Sequence, residues 1–412
     1  VSAVRADGHD PYAALRFRDF RFLLTGRILA NIGGQMLDVA VGWELYERTH
    51  SAWLLGLVGL VLAIPLVTLA LPGGYLADRH DRRSIVVVSQ LLVLSSSLGL
   101  AVVSYRQGSI PLMYLFLFLS GVGAAFSYPA TAALLPQAVP LSEFGSAVTW
   151  NSTGFQVASV TGPALGGLVI GLTKHAAPVY VIDAALSLAF LTCVALISGR
   201  QGPRSTEALS LRALLAGGSF VWQTDVILAA ITLDLFAVLF GGATTLLPIF
   251  AKDILHVGPQ GLGWLRASPS VGAALMALII AHRPPMRRAG RALLWAVVGF
   301  GLATIGFGLS RSFALSMVML FLTGAFDNVS VVIRQSLVQM RAPDEVRGRV
   351  SAVNGIFIDT SNYIGGWESG ATAALFGPVL SVVGGGILTL VVIAAVFLRW
   401  PALRQLDALS PG

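Results

Sequence analysis

Long uncharged runs separated by short charged turns limit how this chain can fold more than any other feature. Residues 53–72 and 84–105 hold no Asp, Glu, Lys or Arg. Between them, Gly73-Gly74-Tyr75-Leu76-Ala77-Asp78-Arg79-His80-Asp81-Arg82-Arg83 gathers two acids and three arginines. A soluble domain gains nothing from that segregation. A bilayer imposes it, because charges are expelled from hydrocarbon and collect in the connecting loops. Only 11% of the residues are charged and 55% are apolar, against about 25% charged in soluble domains. The uncharged runs have the length of a spanning helix, about 20 residues.

Twelve such spans can be marked, at 20–46, 53–77, 84–104, 111–136, 146–173, 178–198, 224–251, 260–282, 290–309, 313–340, 347–376 and 378–399. The longest connection, 199–223, carries Gly202-Pro203-Arg204-Ser205 and then Leu209, Leu211, Leu214 and Leu215. It reads as a linker followed by a short amphipathic helix on the membrane surface. The expected chain is an all-α membrane protein: a six-helix bundle in 1–198, the linker 199–223 and a second six-helix bundle in 224–412.

Orientation follows from the basic residues. Nineteen of the 27 Lys and Arg lie in the termini and the even-numbered loops, five in the odd-numbered loops and three inside spans. The positive-inside rule then places both termini and the 199–223 linker in the cytoplasm. The net charge of +7 is explained by topology, with no nucleic-acid partner required. Residues 1–21 lack the apolar core of a signal peptide, so targeting is expected to come from the first span.

The halves repeat. A shift of 203 residues carries Leu119-Ser120-Gly121 onto Leu322-Thr323-Gly324, Pro140 onto Pro343, Gly145 onto Gly348, Asn151 onto Asn354 and Gly162 onto Gly365. Matches at Pro, Gly and Asn carry information because these residues set helix ends and close approaches. Such a parallel repeat implies two bundles related by an axis along the membrane normal, with a binding site at their interface near mid-membrane.

Gly74 removes a side chain where the second span needs close packing. Asp78, at the end of that span, can meet the positive end of another helix. Arg79, Arg82 and Arg83 can pair with acids or lipid phosphates, and Glu143 is a candidate partner for Arg82. The corresponding loop of the second half, His282 to Arg291, keeps the basic residues but has no acid. Positive-inside anchoring thus accounts for the arginines and leaves Asp78 unexplained.

The stretch Gly74 to Arg83 resembles the loop between helices 2 and 3 of the major facilitator superfamily, G-x-L-A-D-R-x-G-R-[RK]. Gly162-Pro163-Ala164-Leu165-Gly166-Gly167 on the fifth span resembles the G-P-x-x-G-G motif of its drug antiporters. Phe17-Arg18-Asp19-Phe20-Arg21 and Arg347-Gly348-Arg349-Val350-Ser351-Ala352-Val353-Asn354 resemble the branch of enterobactin and macrolide exporters. The resemblance covers essentially the whole chain. It implies twelve transmembrane helices in two six-helix bundles and a cytoplasmic latch made by Gly74, Asp78, Arg79, Arg82 and Arg83, with Asp78 facing the start of span eleven near Val350. The motif at Gly162, Pro163, Gly166 and Gly167 implies export. Two departures stand out. Asp81 replaces the usual glycine, and Leu117 occupies the place of an arginine that drug/proton antiporters often carry, which excludes coupling through that arginine.

Besides charges at the span ends such as Arg21, Asp225, Arg291, Arg347, Arg349 and Arg399, ten ionisable residues fall inside the spans: Arg27, Asp38 and Glu44 on the first, Asp183 on the sixth, Asp234 on the seventh, Arg266 on the eighth, Asp327 and Arg334 on the tenth, and Asp359 and Glu368 on the eleventh. Facing lipid at a helix centre they would cost about 2.5–3.5 kcal/mol each, roughly 30 kcal/mol together. They must therefore line water, pair with one another or sit near the rim. Arg27 and Asp38 share one helix face, as do Asp327 and Arg334. In the resembled fold spans 1, 4, 7 and 10 line the cavity, which makes Arg27, Asp38, Asp234, Asp327 and Arg334 candidates for substrate or proton handling. Asp38, Asp234, Asp327 and Asp359 are the candidate proton carriers; internal salt bridges are the competing explanation. Glu44, Asp183 and Glu368 are expected near the outer rim, with Arg266 as a partner for an acid such as Glu368. Seven acids against three arginines in the spans favour cationic substrates.

There is no Walker loop for ATP, the six histidines lack metal spacing, and the single cysteine, Cys193, excludes an intramolecular disulfide. No enzyme signature, cofactor or metal is expected. The sequence reads as a monomeric secondary active exporter of small amphipathic molecules, of drug or siderophore type, in the bacterial cytoplasmic membrane. It would work by alternating access and proton antiport. A nutrient importer and a lipid or lysolipid flippase would share the fold.

Overall fold

The computed structural model describes residues 10, 12–198, 219–241, 243–283, 288–341 and 344–404. Within them the side chains of residues 70, 71, 78, 344–349, 351–354, 356, 359, 402 and 404 lie outside the description. So do residues 199–218, which held the expected amphipathic helix.

A backbone surrounded by hydrocarbon must satisfy its own hydrogen bonds, so apolar runs of this length fold as helices. Twelve long helices form among the described residues: α1 Arg18–Thr49, α2 Ala52–Arg79, α3 Arg82–Tyr105, α4 Ile110–Leu134, α5 Phe144–Thr173, α6 Ala177–Ala195, α7 Asp225–Phe240, α8 Gly258–Ala281, α9 Ala289–Leu309, α10 Phe313–Arg341, α11 Asp344–Phe376 and α12 Pro378–Arg399. Beyond Phe240, α7 is prolonged by irregular turns as far as Ile254, ending in a π-turn over Phe250–Ile254. Polar residues start helices where the spans meet. The Ser51 hydroxyl accepts the Leu54 N–H at 3.3 Å, and Asp81 accepts the Ser84 N–H at 3.1 Å. Partial burial opposes ionisation of Asp81, but hydrogen bonds from Ser84 and the nearby Arg83 outweigh it and hold this carboxyl below its ordinary range. Asp81, which replaces the family glycine, thus works as the N-cap of α3.

Ten of the described helical segments are long and apolar enough to cross a membrane; α1 and α11 are not among them. The reason lies in their faces. On α1, Arg27, Asn31, Gln35 and Asp38 recur at helical spacing and make one polar stripe. On α11, Asp359, Asn362, Tyr363 and Glu368 interrupt the apolar pattern.

Within the first half α1 packs on α5 and α6, α3 on α4 and α6, and α2 on α4; within the second, α8 packs on α10, α9 on α10 and α12, and α7 on α11 and α12. The halves meet along two main seams, α2 with α11 and α5 with α8. By the 203-residue repeat these seams correspond to each other with the halves exchanged. Both are built on missing side chains. A Cβ added at Gly56 would lie 2.9 Å from the Gly370 Cα, and one added at Gly167 would lie 2.9 Å from the Gly263 Cα. Real Cβ atoms do not approach that closely, so each seam is backbone against backbone. Trp53 and Trp367 flank the first seam edge to face, ring centres 6.2 Å apart.

These contacts gather at the end of the molecule where α1 ends and α2 begins, here the far end. One apolar core there draws on both halves, including Met36, Leu117, Ile170, Leu246, Leu265 and Phe307. At the opposite, arginine-rich end the core is divided: Phe20, Ala130 and Phe190 belong to a cluster of the first half, Leu233, Leu293 and Ile333 to one of the second. A Cβ added at Gly145 or Gly355 would meet nothing within 4 Å.

Gly167→Val should therefore spread the far end without unfolding the halves. In a Cys193→Ser background, a cysteine placed by Thr245→Cys is expected to label several-fold faster with a membrane-impermeant maleimide when Gly167→Val is added. Unchanged labelling would contradict the closed far-end seam.

Candidate functional site: two cavities along the divided core

A cavity of about 390 Å³ lies against the polar stripe of α1. Arg27, Asn31 and Asp38 enter it from α1, Gln90 from α3, Ser127, Tyr128 and Thr131 from α4, Asp183 from α6 and Tyr363 from α11. Tyr128 remains 70% exposed although it lines the cavity wall, so this space is open on that side. A second cavity of about 180 Å³ lies in the other half, with Asp327, Thr323, Thr304 and Asn362 in its lining. The two are related by the repeat. Leu117, Ser120, Gly121 and Ala124 of the first become Leu320, Thr323, Gly324 and Asp327 of the second under the 203-residue shift. The acid at 327 thus stands where the first half has alanine.

The intramembrane charges separate into three groups. Asp38 forms an ion pair with Arg266 at 3.0 Å, from α1 to α8 and so from one half to the other. The carboxylate is half-exposed to the cavity. The expected partner of Arg266, Glu368, is not the one it meets. Near the same end the Tyr46 hydroxyl donates to Asp253, and Lys252 lies 5.9 Å from the centre of the Trp43 ring. All three links join α1 to the second half.

The second group is buried and internal. Asp234 of α7 and Arg334 of α10 are joined in an ion pair, their side chains 7% and 2% exposed. They line neither of the two cavities, contrary to the expectation for cavity walls, because each supplies the charge that makes the other's burial tolerable. Glu44 is also not a rim charge. It is buried, receives the Tyr180 hydroxyl at 3.0 Å, and pairs with Arg48 at 3.2 Å. Asp183, likewise expected near the rim, is 2% exposed and accepts the Ser97 hydroxyl at 2.5 Å. It lies six residues into α6, about 9 Å deep, and it belongs to the large cavity.

The third group has no ion-pair partner among the described residues: Arg27 in the large cavity, Asp327 in the small one, and Glu368, half-buried on α11 and lining neither. The side chain of Asp359 lies outside the described residues.

The loop after α2 binds its own half. Arg82 donates to the carbonyls of Ala77 and Ala133 at 3.2 and 3.1 Å, and Arg83 to that of Ala195. These carbonyls belong to the last turns of α2, α4 and α6, where the helix dipole favours a cation. Arg79 lies over the Tyr75 ring at 4.6 Å. Arg82 is thus engaged by carbonyls and not by Glu143, and Val350 is buried in a cluster with Val221, Ile227, Ile231 and Val338. Gly74 is buried, and the Asp78 side chain lies outside the described residues. The fifth-span motif has two faces. Added Cβ atoms would lie 2.5 Å from the Gln35 Cβ at Gly162 and 3.0 Å from the Met36 Cα at Gly166, both on α1. Gly167 and the Pro163 carbonyl face Gly263 of α8. The motif therefore joins α5 to its neighbour and to the other half at once.

Gln90, Ser97, Tyr128, Thr131 and Asp183 escaped the sequence reading as site residues. Gln90 and Ser97 are seven apart on α3 and share a face, as do Ser127 and Thr131 four apart on α4. That spacing inside an apolar span was the available signal.

An all-helical membrane protein whose halves share a far-end core and flank polar cavities has the architecture of a transporter. The fold aligns with a bacterial homologue of the human lysosomal transporter Spinster, in an inward-facing and occupied conformation, at a TM-score of 0.77 and 15% identity, covering 98% of this chain and 100% of that one. It also aligns with the nucleoside transporter NupG at 0.75 and 13% identity, covering 94% and 99%. The profile of the transmembrane secretion effector family matches residues 9–411, and the chain belongs to that family, within the major facilitator superfamily. Curated relatives include the enterobactin exporters EntS of Shigella boydii serotype 4 and Escherichia coli O1:K1, each 26% identical over 395 residues, 95% of this chain and 94% of theirs. The protein is an integral membrane transporter of a small molecule, not an enzyme.

Removing one member of the buried Asp234–Arg334 pair should destabilise the protein by about 3–5 kcal/mol, because the other charge is left uncompensated. Arg334→Met should lower the thermal unfolding midpoint in detergent, and Asp234→Asn combined with Arg334→Met should recover most of the loss. Single variants that melt like the parent would contradict the pairing.

Proposed function

We propose that this protein exports small amphipathic organic molecules of drug or siderophore type across the bacterial inner membrane in exchange for protons. The observation that carries the reading is the cavity of about 390 Å³ set beside halves that share a core only at the far end. The positive-inside rule assigns the arginine-rich end to the cytoplasm. The cavity then faces the cytoplasm, where an exporter loads its substrate. The enterobactin exporters among the relatives support the direction and the substrate type.

Alternating access would rock two bundles, 1–198 and 224–412, about the linker 199–223. Asp38 has the geometry of a coupling group. With the far end closed it pairs with Arg266. When the far end opens, the two residues separate with their helices, and an isolated carboxylate must be neutralised before the halves can close around it. Asp38 takes up a proton from the outside at that stage. It releases the proton towards the cytoplasm when the pair forms again. Asp327 is the second candidate, as an acid in a cavity with no cation partner among the described residues. Asp234, bound to Arg334, has a structural role in this scheme, and Asp359 remains a candidate on sequence grounds. Closing of the cytoplasmic end would bring the loop of Gly74, Asp78, Arg79, Arg82 and Arg83 against the second bundle as a latch. The working unit is one chain.

Transport into proteoliposomes under imposed proton gradients, with dyes, macrolides and catecholate siderophores as cargo, tests the scheme. Asp38→Asn and Asp327→Asn should abolish gradient-driven transport but leave counterflow. Retention of gradient-driven transport by Asp38→Asn, Asp234→Asn, Asp327→Asn and Asp359→Asn alike would overturn proton coupling through these acids. Uptake against the expected direction would identify an importer.

A further inference from the structure

Two buried polar atoms in the wall of the large cavity have no hydrogen-bond partner among the described residues: Gln90 Oε1 and Thr131 Oγ1. Their residues are 7% and 5% exposed. The other end of the Gln90 amide is occupied, with Nε2 donating to the Ser127 hydroxyl at 3.3 Å. With Nε2 on Ser127, the amide oxygen is a buried acceptor without a donor. Buried polar groups in native proteins are almost always satisfied, so unsatisfied ones that line a cavity mark where a ligand atom belongs.

The same part of the cavity holds Arg27, a cation without a carboxylate partner among the described residues, and the ring of Tyr128. Helix geometry places Arg27 and Gln90 at similar depth, with Thr131 nearer the arginine-rich end. Arg27 is nine residues into α1 and Gln90 eight into α3, about 12–14 Å from the arginine-rich end at 1.5 Å per residue. Tyr128 and Thr131 lie within the last two turns of α4. The cavity acids sit elsewhere. Asp183 packs against Gly33, about 9 Å further along α1 than Arg27, and Asp38 is engaged by Arg266. The cavity is therefore polarised, with its free cation on the arginine-rich side and its acids towards the far end.

We infer that Arg27, Gln90 and Thr131 form a specificity subsite for an organic anion that carries a hydroxyl set apart from its charged group. Arg27 donates to the anion. The ligand hydroxyl donates to Gln90 Oε1, Thr131 supplies a further hydroxyl contact, and the Tyr128 ring covers the apolar body. The count of acids over arginines favoured cationic cargo, but it did not allow for the pairing of Asp38 and Asp234 with arginines, which leaves Arg27, half-buried in the cavity wall, as the charge on the loading side without a carboxylate partner among the described residues. The inference rests on the large cavity being the substrate site. It does not depend on the direction of transport or on protons.

The test is equilibrium binding to the purified full-length protein in detergent, which reports neither direction nor coupling. The probe is 6-hydroxy-2-naphthoate, followed by its fluorescence, with 2-naphthoate lacking the hydroxyl and a naphthylmethyl-trimethylammonium of opposite charge. The parent protein should prefer the hydroxy acid over 2-naphthoate by about tenfold, the scale of one hydrogen bond to a buried acceptor. Arg27→Gln should weaken both anions by about tenfold or more, and Arg27→Lys should retain most of the affinity. Gln90→Met should bring the hydroxy acid and 2-naphthoate to equal affinity, a change in their ratio that a general folding defect would not give. Preference for the ammonium probe, or a hydroxyl preference that survives Gln90→Met, would overturn the subsite. Intact Arg27-dependent binding with no export in proteoliposomes would sink the export reading and leave the subsite standing; export of cations alone, independent of Arg27, would do the reverse.

Discussion

The cost of an unpaired charge in hydrocarbon governs this structure. The spans carry ten ionisable residues away from the loop charges, and the fold places most of those it describes in pairs, in hydrogen bonds or on a cavity wall. Asp234 and Arg334 cancel each other inside the second half. Glu44 is satisfied by Tyr180 and Arg48, and Asp183 by Ser97. Asp38 and Arg266 are different, because their pair crosses between halves that must separate if the carrier is to turn over. An interaction needed for burial in one conformation becomes a lone charge in the other. In the proposed cycle that is where a proton enters.

Close approach of backbone supplies the other half of the design. Apolar side chains have no reason to prefer one another over lipid, so helices in a membrane associate through small residues. Gly56 with Gly370 and Gly167 with Gly263 make two seams that the internal repeat relates. Both lie at the far end, while the arginine-rich end keeps separate cores in the two halves. The same repeat is broken in the cavities, where Ala124 of the first half answers to Asp327 of the second. The symmetric parts of the chain carry the hinge-like packing and the asymmetric parts carry the charge.

Most of the fold was legible in the amino-acid sequence because hydropathy and charge segregation report directly on the bilayer. The polar face of α1 was legible too, since Arg27 and Asp38 stand three turns apart. What was not legible is which charges meet. Arg266 was expected beside Glu368 and instead reaches Asp38; Asp234 and Arg334 were expected in a cavity and are buried together. Helical spacing fixes faces within one element, but partners on different helices depend on rotation and depth that a single sequence does not encode. Asp183 illustrates the same limit: its distance along α6 was readable, while the direction of its face was decided by contact with α3 and α1.

The central claim is that the halves, joined at the far end by Asp38–Arg266 and the glycine seams, exchange this state for one closed at the arginine-rich end. Pulsed electron resonance between spin labels at Leu141, in the loop before α5, and Met340, in the last turn of α10, reads that motion directly in proteoliposomes. Both positions are exposed. The account predicts two distance populations, with Asp38→Asn shifting weight to the shorter one because the far-end pair is lost. A single distance, unchanged by Asp38→Asn, would contradict it.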